Sequence, residues 1–285
     1  MTKSSTGGPS VEEVWRTYMM TGGPPDGMYL PWFRSKRWRP LVRRLPANPR
    51  CRMCYYPFDG AGGSLARHLF GIAPSKLNPQ LCNQCETFAA QTQGGAEIET
   101  SLLFADVRGS TTLAEGMSPA EFSRLISRFY NVTSRVLINA NAFIEKLIGD
   151  EVTGFFVPGF AGPDHTRVAV QAAREILEVT SGWIPVGVGI HRGSAYIGAV
   201  HSGAGVTDIA VLGDPVNVAA RLASEAGPGE VLISETARLA AGLPTSGLES
   251  RRLQLKGRSE PVDVWVMRVG AAYQEQGHSK MAERR

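Results

Sequence analysis

The sequence predicts an α+β fold: an α/β sandwich on a mostly antiparallel sheet, preceded by a small metal-stapled module. Three observations predict it. From residue 97 onward, apolar runs of strand length alternate with helical stretches in the order βαββαββ(β)αβ(α)ββ. Successive runs such as Ala142–Ile148 and Val152–Val157 are split only by Gly149-Asp150-Glu151, too tight for a parallel crossover. All four cysteines stand upstream as two CxxC pairs, Cys51/Cys54 and Cys82/Cys85, with 27 residues between the pairs.

The elements follow in order. Residues 1–50 form a basic, aromatic extension that opens with a short amphipathic stretch, Val11, Val14, Trp15, Tyr18 and Met19. A Gly/Pro turn at Gly22-Gly23-Pro24-Pro25 ends it, and Tyr29, Trp32, Phe33 and Trp38 follow among basic residues. Residues 51–92 form the cysteine module, and Gln91 to Gly95 reads as a short linker. Residues 97–269 form the large domain, and 270–285 a flexible tail. Within the large domain, Glu99 to Asp106 is a buried strand. Ser118-Pro119-Ala120-Glu121 is a capping box with proline at the first helical position, and Phe122 to Leu137 continues at helical spacing. The pair of apolar runs around Asp150 is a hairpin with Asp150 at its tip. A second helix runs from about Asp164 to Val179, then two strands, Val186–Arg192 and Ala195–Val200, and the run Ile209–Leu212. A third helix spans about Asp214 to Glu225. Strand Val231–Ser234, a short helix, and strands Arg251–Lys256 and Val262–Arg268 complete the series.

Composition sets the outer limits. The chain has 285 residues, 43% hydrophobic and 20% charged, which suits a globular domain plus a smaller module. No apolar run reaches the ~18–20 residues needed to span a bilayer, and Met1 to Ser10 has no signal-like core, so the expected location is cytoplasmic. The net charge of +4 is uneven: residues 1–97 carry 12 Lys/Arg against 6 Asp/Glu, whereas the remainder carries 18 against 20. Basicity concentrates in residues 34–44, at Arg34, Lys36, Arg37, Arg39, Arg43 and Arg44. Such a run suits nucleic acid or anionic lipid, but a solvated linker or intramolecular clamp is the commoner reading of a charge run.

The chemistry begins at two aspartates. Phe104-Ala-Asp-Val-Arg-Gly-Ser and Lys146-Leu-Ile-Gly-Asp150 each end an apolar run with an aspartate close to glycine. Two carboxylates at one sheet edge, with glycines leaving room, suit magnesium and a polyphosphate. Taken singly, an aspartate after a strand is more often a turn residue. The backbone amides of Val107, Arg108, Gly109, Ser110 and Thr111, in a loop before a helix, are candidates to cradle phosphates. Asn217 and Arg221, four apart on one helix, face the same way.

These segments, with Val188-Gly-Ile-His-Arg-Gly193, Leu212-Gly-Asp-Pro-Val-Asn-Val-Ala-Ala-Arg221, Pro228-Gly-Glu-Val-Leu-Ile-Ser234 and Leu255-Lys-Gly-Arg-Ser-Glu-Pro-Val262, resemble a class III nucleotidyl cyclase over about residues 97–269. The resemblance implies a ferredoxin-like, palm-type catalytic domain and conversion of ATP to cyclic AMP and pyrophosphate. It implies that Asp106 and Asp150 hold two divalent ions, Mg2+ or Mn2+, per site. Asn217 would position the ribose, Arg221 would stabilise the α-phosphate, and Lys256 would bind the terminal phosphates. Lys146 matches the lysine that contacts the purine in ATP-specific members, whereas guanylyl enzymes usually carry an acid there. Its usual Asp or Thr partner is replaced by Ala210, which cannot hydrogen-bond an adenine amine and weakens purine discrimination. The resemblance also implies a head-to-tail homodimer with shared sites, since one chain carries the full set. His165, His191 and His201 show no ligand spacing and read as exposed strand-end or loop residues.

In a chain without a signal, two CxxC pairs suit a four-thiolate zinc site better than disulfides. The gap exceeds the usual ~15–20 residues, and an iron–sulfur cluster is the alternative. A catalytically silent nucleotide sensor draws only on Ala210, and guanylate or relaxed-specificity cyclisation draws on the same residue. A nucleic-acid module draws on the basic front end. Diguanylate cyclisation is excluded, because Ile148 stands where a doubled glycine is needed and Arg221 has no role there.

Overall fold

The structure is a computed structural model, and it describes residues 8–23, 44, 49–51, 53–76, 81–201, 207–254 and 260–269. The basic run up to Arg43, Lys256 and residues 270–285 lie outside the described residues. The chain divides into two compact units. The larger comprises residues 101–156, 164–193 and 215–285, and the smaller residues 1–100, 157–163 and 194–214.

In chain order the helices and strands are α1 (Val11–Thr21), α2 (Gly60–Phe70), α3 (Asn83–Gln91), β1 (Gly94–Val107), α4 (Ser110–Glu115) and α5 (Pro119–Asn139). Then come β2 (Phe143–Ile148), β3 (Glu151–Phe156), α6 (Pro158–Ala161), α7 (His165–Thr180), β4 (Val186–His201) and β5 (Thr207–Leu212). Last are α8 (Asp214–Glu225), β6 (Glu230–Ser234), α9 (Glu235–Ala241), β7 (Glu249–Leu253) and β8 (Val262–Arg268). The strands line up as β2-β3-β1-β4-β6-β8-β7, with β5 on β4. The β4–β6 pair is parallel, while β1–β3, β2–β3, β4–β5, β6–β8 and β7–β8 are antiparallel. The α+β class and the mostly antiparallel sheet match the sequence expectation.

In the larger unit, the capping box forms as expected. The Glu121 amide donates to Ser118 Oγ at 3.3 Å, and the Ser118 amide to Glu121 Oε2 at 2.9 Å. Helix α5 then buries Ile126, Phe129, Val136 and Leu137, its apolar stripe. Helix α8 buries Val218 and Leu222, with Ala226 just past its end, against Leu232 of β6 and Val264 and Val266 of β8. Glycines bring α8 close to β4: a Cβ on Gly189 would lie 2.3 Å from Ala223 N and 2.5 Å from Ala219 O.

In the smaller unit, Ser10 caps α1 by accepting from the Glu13 amide, and Gly22 ends it in the left-handed conformation at φ 75°. Val14, Trp15, Tyr18 and Met19 are buried, as their spacing predicts. Tyr18 meets Phe160 edge-on at 5.3 Å, and a Cβ on Gly22 would strike Gly159 O at 2.3 Å. This is a contact that only glycine permits.

Three expectations are corrected. The strands read at 186–192 and 195–200 are one strand, β4. Gly193 does not turn the chain; it makes room for Pro215, whose Cγ would lie 2.8 Å from an added Cβ. The linker read at 91–95 shrinks to Thr92 and Gln93, because α3 ends at Gln91 and β1 begins at Gly94. The strand expected at 251–256 is β7, Glu249–Leu253, earlier in the chain.

Candidate active site

Within the larger unit, β1 and β3 bring the two acidic positions together by register. Asp106 pairs with Glu151 across the ladder, so Asp150 lies one residue beyond, in the β2–β3 turn. The Val107 amide donates to Asp150 O at 3.1 Å and ties that turn to the end of β1. Gly149 takes φ 62° in the turn, and Tyr130 Oη of α5 donates to its carbonyl at 2.7 Å. The hairpin tip carrying Asp150 is thereby held from both sides.

The cation present at Asp106 comes from the chain itself. Asp106 is on β1 and Arg108 is the first residue past the strand's end, and the Arg108 guanidinium forms an ion pair with Asp106. Arg108 Nη1 also donates to Ser224 O, 2.7 Å away near the C-terminus of α8. Its Nε is buried without a hydrogen-bond partner among the described residues. Burial lowers the Arg108 pKa, and the negative charges of Asp150, Glu151 and Glu225 oppose that shift. Burial likewise raises the Glu151 pKa, and the charges of Asp150 and Glu145 raise it further. Excess negative charge therefore gathers where β1 ends and β3 begins. A set of hard carboxylate oxygens that already draws a guanidinium fits a divalent cation.

The sequence reading used Arg108 only through its backbone. The signal for its side chain was its nearness in sequence to Asp106, an opposite charge two residues away. The expectation that five amides from Val107 to Thr111 cradle phosphates is corrected for two of them. Val107 N is spent on Asp150 O, and Arg108 N on Pro185 O at 2.8 Å, because β1 runs through Val107. Gly109, at φ 65°, precedes α4, so Gly109, Ser110 and Thr111 remain as candidates.

Lys146 is exposed on β2, with its ammonium 3.7 Å from the buried Glu145 carboxylate. The β2–β3 register shifts between Ile144 and Lys146, and Thr153 Oγ1 accepts from the Lys146 amide at 3.0 Å. Asn217 is exposed and Arg221 half-buried, one turn apart on α8. Among the described residues neither side chain has a hydrogen bond or ion pair, so both are available to a ligand or a second chain. In the smaller unit, Ala210 is half-buried on β5 and pairs with Gly198 of β4. Lys256 lies outside the described residues.

The histidine reading is corrected. His165 is 2% exposed at the start of α7 and lies 3.0 Å from Ser101 Oγ, while His191 is half-buried against Ser234 Oγ at 2.9 Å. Both are satisfied structural residues; the side chain of His201 lies outside the described set.

Also in the smaller unit, Cys51, Cys54, Cys82 and Cys85 are buried, with their four Sγ atoms within 4.8 Å of one another. Cys54 and Cys82 sulfurs are 3.7 Å apart, close to the edge of about 3.8 Å that a tetrahedron of Zn–S bonds requires. Cys51 Sγ accepts from the Cys82 amide at 3.2 Å, and Cys82 Sγ from the Cys85 amide at 3.3 Å. Burial opposes ionisation of Cys51, yet hydrogen bonds from the other three thiols outweigh it and hold its pKa well below the usual value. Hydrogen bonding to Cys51 keeps the Cys54 and Cys85 thiols well above it. Burial pushes the neighbouring Tyr56 phenol up to about 12. Four soft sulfur donors gathered in a dry cluster fit a thiophilic cation, which would favour their deprotonation on binding.

The sheet order and its acid-bearing strand ends mark a nucleotidyl cyclase domain. A family model described as the Adenylate and Guanylate cyclase catalytic domain matches residues 95–268, more than half of the chain, and the chain belongs to that family. An adenylate cyclase of Anabaena cylindrica is 30% identical over 211 residues, which cover 68% of this chain and 41% of that protein. The chain thus spans less than half the length of this relative. Among solved structures, the guanylyl cyclase Cya2 aligns at TM-score 0.54 and 28% identity, over 64% of this chain and 98% of that one. The adenylyl cyclase CyaB from P. aeruginosa aligns at 0.52 and 25%, over 64% and 98%. Among the described residues no helix is long and apolar enough to cross a membrane.

Proposed function

We propose that the chain converts ATP to 3′,5′-cyclic AMP and pyrophosphate as a homodimer with two shared sites. The observation that carries this reading is the exposed Lys146 on β2, the strand that leads into the hairpin tip bearing Asp150. A lysine at that position favours adenine over guanine, for which an acid would be expected. The 3′ oxygen of the ribose forms a bond to the α-phosphorus while the bond from that phosphorus to the leaving pyrophosphate breaks, and the hydroxyl proton is lost. Asp106 and Asp150 would hold two Mg2+ or Mn2+ ions, which supply Lewis acidity and lower the hydroxyl pKa. Asn217 orients the ribose. Arg221 places a fixed guanidinium where negative charge grows on the α-phosphate. The amides of Gly109, Ser110 and Thr111, with Lys256, receive the distal phosphates.

Since Asn217 and Arg221 have no partner among the described residues, they are assigned to the site of a second chain, opposite that chain's Asp106 and Asp150. The cysteine module, residues 51–92, is assigned a structural zinc ion that staples a segment too small to hold its own core. Ala210 supports a second reading, relaxed purine selection. An adenine amine left unpaired there costs on the order of 1–3 kcal/mol of specificity. Incubation with ATP and, separately, GTP plus manganese, followed by product identification, tests the proposal. Cyclic AMP as the main product is expected, and cyclic GMP alone, or no cyclic product from either nucleotide, would refute it.

A further inference from the structure

We propose that the four-cysteine site fixes the position of β5, the strand that carries Ala210, so that metal loading there sets how sharply purines are distinguished. The selectivity half of this proposal rests on Ala210 being the base-facing position; the mechanical half does not.

The connection runs through the smaller unit without a gap. Helix α3 starts at the cluster: Cys82 is its N-cap, accepting through sulfur from the Cys85 amide, and Cys85 lies buried in its first turn. Its other end is fixed as well. Trp15 Nε1 of α1 donates to Thr92 O at 2.8 Å, and Phe88 packs on Trp15 and Tyr18 with centroids 5.8 and 5.6 Å apart. Between these ends, α3 packs against β5.

Beyond α3 the chain turns onto the partner strand of β5. Gln93 forms a parallel bridge with Ala199. Gly94 and Gly95 then press backbone to backbone on Gly198. A Cβ on Gly95 would lie 2.4 Å from Ile197 O and 2.7 Å from Gly198 Cα, and one on Gly198 would lie 2.3 Å from Gly94 O. Gly198 is the residue paired with Ala210. No side chain stands between the exit of the cysteine module and the backbone opposite Ala210, so little is available to absorb a displacement. An alanine offers no hydrogen bond of its own, and selection there depends on where the strand backbone lies. Base selection is then sensitive to the module that buttresses β5.

The test uses the full chain, with zinc content measured by mass spectrometry. Stripping the metal with a chelator, or substituting Cys85→Ser, is expected to speed amide hydrogen exchange in residues 93–98 and 207–212, while β6 and β8 keep their protection. The ratio of kcat/KM for ATP over GTP is expected to fall several-fold, towards unity, and zinc re-addition to restore it. Gly95→Ala keeps the cysteines and should retain zinc while reproducing both changes, which covers the case in which Cys85→Ser fails to fold. Unchanged exchange in β5 on metal loss, or a Gly95→Ala enzyme with wild-type exchange and selectivity, would overturn the coupling. Ala210→Thr separates the two halves: an unchanged ATP/GTP ratio in that variant would overturn the base assignment and the selectivity claim with it, leaving the exchange measurement to decide the mechanical claim.

Discussion

Gly189→Ala probes whether the placement of α8 sets the rate. In the wild-type backbone the new Cβ would meet Ala223 N at 2.3 Å, Ala219 O at 2.5 Å and Leu222 C at 2.8 Å, all main-chain atoms that cannot rotate aside. Ordinary contact begins at 3.4 Å, so α8 must retreat from β4 by about 1 Å. Overpacking of this kind costs roughly 1–3 kcal/mol, a fall of several degrees in Tm. The same retreat carries Asn217 and Arg221 with it, and a misplacement of about 1 Å at a reacting centre costs on the order of 100-fold in rate. Initial rates with manganese-ATP, taken where the variant is still fully folded, give kcat. Ile190→Val at the next position, also buried, is the control: it loses about 1 kcal/mol without pushing the helix, and its kcat should stay within about twofold of wild type. A folded Gly189→Ala enzyme with a kcat equal to that of the control would refute the reasoning.

Two further outcomes are expected. Arg221→Ala should lower kcat by roughly 100- to 1,000-fold while raising KM far less, because its guanidinium meets charge that grows only in the transition state; steady-state kinetics decide this, and a pure KM effect would contradict it. The bidentate hydrogen bonds of Arg251 to Glu230, at 2.7 and 2.8 Å, hold the Glu230 carboxyl below its ordinary pKa, so their stabilisation is present above that ordinary value and lost as pH falls through the depressed one. Arg251→Met should therefore lower Tm at pH 7, with the difference shrinking as pH falls below about 4; a deficit independent of pH would contradict the assignment.

Much of this was legible because local chemistry and tertiary context agree. Ser118 and Glu121 announce a helix start that needs no tertiary contact, and the α1 stripe reads as one buried face. The two aspartates could be placed because strand alternation and a tight turn fix register over a few residues. What the sequence concealed depends on distant partners. Gly193 carries the usual mark of a break, but its missing side chain serves Pro215, so β4 continues. His165 looks like a loop residue until α7 brings it to Ser101, 64 residues away. The Val107 and Arg108 amides looked free because their acceptors, Asp150 O and Pro185 O, come from remote segments. Gly94 and Gly95 read as linker because nothing local reveals Gly198 against them.

The central claim is that the acids of one chain and the guanidinium of another build one site. Complementation of two silent variants tests it most directly. Asp106→Ala and Arg221→Ala are each purified, shown to be folded and inactive, then mixed and assayed for cyclic AMP. Random pairing should make half the dimers mixed, each with one intact site, so about a quarter of wild-type activity is expected. Activity that stays at the level of the separate variants, with mixed dimers demonstrably formed, would contradict the claim.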